Sequence, residues 1–178
     1  QVAQQAQRDL GVAVLERRDL VHEGVEDAPL DVCPGRADHV VLALGHSARD
    51  TFAMLHARGV FMEAKPFSVG FRIEHPQALI DRARLGKYAG NALLGAADYK
   101  LVHHAQNGRS VYSFCMCPGG QVVAATSEEG CVVTNGMSQY SRAERNANSG
   151  IVINVSPADF GGGDPLAGIA FQRKWEQR

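Results

Sequence analysis

Two short runs of alternating residues, 99–104 and 110–117, flank an Asn107-Gly108 pair. Asn-Gly between alternating runs is the strongest short-range signal for a β-hairpin, closed by a two-residue type I′ turn. Such a turn sets a register in which Gln106 faces Arg109, His104 pairs with Val111, Val102 with Ser113, Lys100 with Cys115 and Asp98 with Cys117. Successive strand side chains point to opposite sides, so Ser113, Cys115 and Cys117 share one face with Lys100. Tyr99, Leu101, His103, Tyr112, Phe114 and Met116 make the other, core-like face.

A cross-strand ammonium favours the thiolate form of a cysteine, which is the reactive form. Cys115, Cys117 and Lys100 are therefore candidate catalytic residues. The plainer reading makes both cysteines inert, half-buried strand residues. No metal site is expected, because zinc wants a second Cys or His pair at matching spacing and Lys100 would occupy the cation's place. His103 and His104 are adjacent and face opposite ways, so both cannot join the thiols.

With 178 residues and a net charge of −1, the chain is sized for one domain, or a domain plus an appendage, and offers no nucleic-acid or membrane surface. Four cysteines, Cys33, Cys115, Cys117 and Cys131, are too few for a disulfide scaffold. Cys115 and Cys117 lie too close in sequence along a strand to bridge readily. With no recognisable signal peptide, a cytoplasmic protein is expected. The chain opens on Gln1 rather than methionine and reads as a piece of a longer protein. Nothing in the sequence sets an oligomeric state.

Elsewhere the pattern alternates between strands and helix starts. Residues 2–10 suit a short helix, 12–15 a strand, and 23–36 a loop. The continuous apolar run 40–44 reads as a strand buried on both faces. It stops at Gly45, after which Ser47 stands as a helix N-cap with Asp50 as its capping-box partner, for a helix over 47–58. The free N–H groups of such a helix favour an anion. Phe67, Val69, Phe71 and Ile73 then alternate with Ser68, Gly70, Arg72 and Glu74, a half-buried strand whose second face is polar. Pro76 suits the first turn of a helix over 77–84. Strands are expected at 121–126, 131–134 and 150–155, a helix start at Ser141, and a final helix after Pro165. The sum is an α+β fold, an antiparallel β-sheet or partly closed barrel with a few helices.

Several long stretches carry a resemblance: residues 43–52, 63–76, 95–101, 112–126 and 134–148 are similar to the bacterial FAD-utilising dehydrogenases. The similarity covers about residues 37–175, and motifs of this length are specific. In that family a Rossmann-like FAD domain is interrupted by an inserted domain of strands and helices lying over the flavin. The resemblance implies that residues 1–59 are a partial FAD-domain segment, a strand-turn-helix remnant, with Gly45, His46 and Ser47 at the flavin edge. Residues 60–156 would be the inserted, substrate-side domain, and 157–178 a Gly-rich loop and C-terminal helix. Lys100, Cys115 and Cys117 would close the reaction pocket, Arg72 would anchor an acidic small-molecule substrate, and Asn135 and Ser138 would hydrogen-bond it. An exposed Arg72–Glu74 ion pair and an ordinary Asn-Gly turn are the alternatives for these last residues. The Gly-x-Gly-x-x-Gly loop that cradles a dinucleotide pyrophosphate does not occur. The expectation is thus a fragment of an FAD-dependent oxidoreductase that does not retain FAD alone, against a small-ligand-binding β-rich module without redox chemistry.

Overall fold

The computed structural model describes residues 13–16 and 39–178. The helix expected over 2–10 and the loop over 23–36 lie outside the described residues. Strands β1 (Ala13–Glu16) and β2 (His39–Leu42) pair antiparallel, with Ala13 opposite Leu42. After the Gly45 turn comes α1 (Arg49–Ala57). The main sheet contains β3 (Phe67–Pro76), β4 (Val102–His104), β5 (Ser110–Cys117) and β8 (Asn146–Val155) in the order β3-β8-β5-β4. A second ribbon pairs β6 (Gly120–Ala124) with β7 (Thr134–Ser138). Helix α2 (Gln77–Leu85) follows β3 directly, and α3 (Ala167–Glu176) ends the chain. The fold is α+β, and its antiparallel sheets stay open rather than closing into a barrel.

Phe67 is the hinge of the core. Its ring lies 5.3 Å from that of Phe160 and 6.1 Å from that of Phe171, fastening β3 to α3 through an aromatic cluster that continues to Trp175. Val152, Val155 and Ala147 on the central strand β8 are buried, as are Val133 and Cys131 near the end of α3. The backbone N–H of Val132 donates to the carbonyl of Glu176 at 2.6 Å.

Five local expectations are corrected. The apolar run is not buried on both faces at residues 41–44, where Val41 is 59 % and Leu44 43 % exposed. The N-cap of α1 is Ala48 and not Ser47, whose hydroxyl is instead shared with Ser127 at 2.8 Å and His46 at 3.3 Å. Ser141 starts no helix, because Arg142 takes φ +50°, which a right-handed helix cannot continue. The strand after Cys131 begins at Thr134, and residues 131–133 serve as a connection tied back by Ala125 N–H to the Val133 carbonyl.

The fifth correction concerns β3. Phe71 is 77 % and Ile73 42 % exposed, whereas Ser68 is 3 % exposed and the Arg72 guanidinium is tucked inside. Around Arg72 the polar face is the covered one because the β6–β7 ribbon packs over it, bringing Gly136 against Arg72, whereas the apolar face is buried at its start, at Phe67, and Glu74, which accepts from Val122 N–H, stays exposed. Two of the polar side chains of β3 are paired across the sheet, Ser68 with Tyr112 and Asn154 and Glu74 with Asn146.

Candidate functional site

The hairpin forms, in a different register from the expected one. Ala105 N–H donates to Arg109 C=O, Gly108 N–H donates to Ala105 C=O, and Gly108 sits at φ +82°. That is a type I turn followed by a left-handed glycine, a three-residue loop that shifts every pair by one. His104 therefore faces Ser110 and Val102 faces Tyr112, with Ser113 N–H bonded to Leu101 C=O. Lys100 is thus not opposite Cys115; it is exposed, on the segment leading into β4.

Strand β5 is also interrupted where the chemistry was expected. Phe114 pairs with Gly150 but Cys117 with Asn148, so two residues of β5 oppose one of β8. The extra residue is a β-bulge, and Cys115 within it takes φ +48°. Alternation breaks at this point: Cys115 is exposed and Cys117 buried, and neither simply continues the face of Ser113.

The cation that the bulge meets is Arg72. Its Nη1 donates to the Asn148 Oδ1 and to the Cys115 carbonyl at 3.4 Å, and lies 4.0 Å from the Cys117 Sγ. Asn148 is fully buried on β8. Gly136 on β7 closes the other side, where a Cβ would collide with both the guanidinium and the Asn148 side chain. Three buried donors here have no acceptor among the described residues: Arg72 Nε, Arg72 Nη2 and Asn148 Nδ2. Burial raises the Cys117 thiol above its ordinary range, the neighbouring Cys115 thiol raises it further, and Arg72 opposes both.

The surrounding network is buried and directional. Gln77 donates to Asp81 and the Ala97 carbonyl and accepts from Gly119 N–H, fixing the turn that follows Cys117. Ser138 donates to the Pro118 carbonyl at 2.8 Å, and Asn135 accepts from Gly136 N–H, so both lie on the strand that carries Gly136. His75 Nε2 meets the Tyr99 hydroxyl at 2.8 Å, and the buried His75 Nδ1 has no partner among the described residues. Burial raises Tyr99, while Ser149 and Arg72 pull it down.

Gly45, His46 and Ser47 belong to a separate constellation at the start of α1. Gly45 takes φ +73° with open space where a Cβ would stand. His46 is lowered by burial and by the charge of Arg49. Arg49 itself is buried, bonded to Glu176 and Gln172 and 3.2 Å from Glu128. Burial would lower it, but the Glu176 hydrogen bond and charge prevail, and its affinity for the proton rises.

The C-terminal domain-like family of FAD-dependent proteins matches residues 66–178. The chain belongs to that family. A similar protein, an uncharacterized protein of Clostridium beijerinckii, is 54% identical over 138 residues, which is 77% of this chain. The aligned region is 26% of that relative, so the chain spans about a quarter of its length. The family domain contains Arg72, Asn148, Gly136 and both bulge cysteines, and α1 joins it through Arg49 and Glu176.

Its residues fit an FAD only in part. The three donors without acceptors suit an acceptor-rich edge, such as flavin carbonyls or a carboxylate. The Gly-rich pyrophosphate cradle is not encoded in these residues. Among the described residues no helix is long and apolar enough to cross a membrane.

Asn148 is the main residue that sequence reasoning missed. It lies within a stretch that carried the family resemblance, and the unusual feature was an Asn-Ala-Asn-Ser run at the start of an otherwise apolar strand. The His75–Tyr99 pair and the Arg49–Glu176 pair were missed too, since their members are 24 and 127 residues apart.

Proposed function

We propose that this chain supplies the substrate-facing part of an FAD-dependent oxidoreductase, in which Arg72 and Asn148 hold an acidic group of a small-molecule substrate. One observation carries the reading: Arg72 Nε and Nη2, with Asn148 Nδ2, are buried donors lacking acceptors among the described residues. The Nε–Nη2 edge of a guanidinium matches two carboxylate oxygens, while Nη1 is already committed to Asn148, Cys115 and Cys117. That commitment fixes the direction of the free edge. Flavin would accept the hydride when bound. The chain's residues would orient the substrate and exclude water, with Asn135 and Ser138 beside Gly136 shaping the pocket and Gly45, His46 and Ser47 lying toward the cofactor.

The test uses the longer flavoprotein that carries this segment, with acetate and inorganic phosphate as probes of the Arg72 edge. Perturbation of the visible flavin spectrum by acetate should weaken about tenfold in Arg72→Lys, which keeps the charge but loses the fork, with flavin content unchanged. Equal acetate affinity in the two proteins would refute the role of Arg72. A longer protein that purifies without flavin would instead favour a binding module without redox chemistry.

A further inference from the structure

We propose that Cys115 and Cys117 form a dithiol–disulfide couple that exchanges with small disulfides, the exposed Cys115 attacking and the buried Cys117 resolving. The inference goes beyond the oxidoreductase reading and needs no flavin.

The geometry comes from the bulge. In a plain strand, side chains two residues apart stand well separated along one face, and a bridge between them is strained. Here the extra residue curls β5, and Cys117 folds back so that its Sγ lies 3.4 Å from the Cys115 carbonyl oxygen. The bulge also separates the two thiols by environment: Cys115 is open to solvent, and Cys117 is 8 % exposed. An exposed attacker beside a shielded partner is the arrangement that lets an incoming disulfide reach only one sulfur. Arg72 sits on both residues at once, bonded to the Cys115 carbonyl and 4.0 Å from the Cys117 Sγ. Its charge favours the thiolate of Cys117, opposing the burial that disfavours it. Cys115 also holds a left-handed backbone that a residue other than glycine adopts at a cost, and such strain collects at working sites.

The chemistry balances without a further reagent. The Cys115 thiolate attacks one sulfur of a small disulfide, forming a mixed disulfide and expelling one thiolate. Cys117 gives up its proton, and its thiolate attacks the Cys115 sulfur, breaking the mixed disulfide and expelling the second thiolate. Two protons leave the protein, two electrons pass to the small disulfide, and a Cys115–Cys117 bond remains. Arg72 stabilises the charge on Cys117 in the second step.

The probe is oxidised glutathione, applied to the full 178-residue chain with Cys33→Ser and Cys131→Ser so that only the pair can react. The expected product has lost both titratable thiols and two hydrogens of mass, retains no glutathione, and returns to the dithiol with dithiothreitol. Cys117→Ser should stop at a stable glutathione adduct on Cys115, and Cys115→Ser should react slowly at the buried thiol. Closure should be about tenfold slower in chain unfolded by guanidinium, where the bulge no longer sets the geometry. A persistent mixed disulfide on the folded two-cysteine chain, no reaction, faster attack at Cys117, or equal rates folded and unfolded would each overturn the proposal. Should circular dichroism show that Cys131→Ser unfolds the chain, differential alkylation and peptide mapping of the wild-type chain give the same readout at Cys115 and Cys117.

Discussion

Removing the Glu176 carboxylate tests how the start of α1 is held to the family domain. Glu176 is 3 % exposed and accepts two hydrogen bonds from Arg49, 3.1 Å from Nη1 and 2.7 Å from Nη2. Breaking a buried ion pair at one partner typically costs about 3–5 kcal/mol, because the surviving charge is left buried. Arg49 would keep Gln172 at 3.0 Å and Glu128 at 3.2 Å, and Glu128 is partly exposed, so the lower end applies. Glu176→Ala should cost about 3 kcal/mol, a fall in melting temperature on the order of 6–12 °C for a chain of this size. Replacing both partners by apolar residues, Arg49→Met with Glu176→Leu, should cost less than Glu176→Ala alone, since no buried charge remains. Urea unfolding can be followed through Trp175, the only tryptophan, which neighbours Glu176 on α3, with circular dichroism as a second probe. Losses below about 1 kcal/mol for Glu176→Ala, or independent additive losses at the two positions, would refute the reasoning.

Acid should weaken the same junction. The hydrogen bonds from Arg173, helped by the charges of Arg49 and Arg173, hold Glu128 down from 4.5 to about 2. A depressed carboxyl contributes stability above its unfolded value and loses it as pH falls toward the folded one, here from about 4.5 to about 2. Urea midpoints should therefore fall across that window, and less steeply in Glu128→Gln, with a residual slope from Asp159, which Arg109 holds at about 2. Gly136→Ala should displace the Arg72 guanidinium from Asn148 and cost about 1–3 kcal/mol in the same unfolding assay; a neutral substitution would show that Gly136 does not close the site. Cys115→Gly should be within about 1 kcal/mol of wild type or more stable, because glycine takes φ +48° freely. A large loss there would mean that the thiol, not the backbone, holds the bulge.

What the sequence showed and hid follows from how each feature is encoded. A hairpin at Asn107-Gly108, a strand and turn before α1, a helix after Pro76 and the helix after Pro165 rest on local signals, and all are present, although Pro76 itself ends β3 and caps α2 instead of lying in its first turn. The hairpin register was not local. Asn-Gly serves a two-residue loop and a three-residue loop with a left-handed glycine, and the choice between them moved Lys100 out of line with Cys115. Alternation likewise tells which residues of β3 share a face, but not which face is covered. Here the β6–β7 ribbon, about 50–70 residues away in sequence, covers the polar one around Arg72. The bulge at Cys115 leaves no compositional mark at all, since its cause lies in the pairing of β5 with β8.

The covering of β3 at Arg72 bears on function through the cost of burying that side chain. A guanidinium withdrawn from water is tolerated when its donors are met, and among the described residues no carboxylate forms a salt bridge with it. Nη1 alone is compensated, by an amide oxygen, a backbone carbonyl and a sulfur supplied by β8 and the bulge of β5. The groups that touch it come from Asn148, Cys115, Cys117 and Gly136, while Glu74, two residues along the same face, is engaged by Asn146 and the Val122 N–H instead of by Arg72. Three strands thus hold one cation in a fixed orientation, with no carboxylate in salt-bridge contact among the described residues. On the function proposed above, an anionic group arriving from outside would meet that charge with two parallel N–H donors and the Asn148 amide beside them.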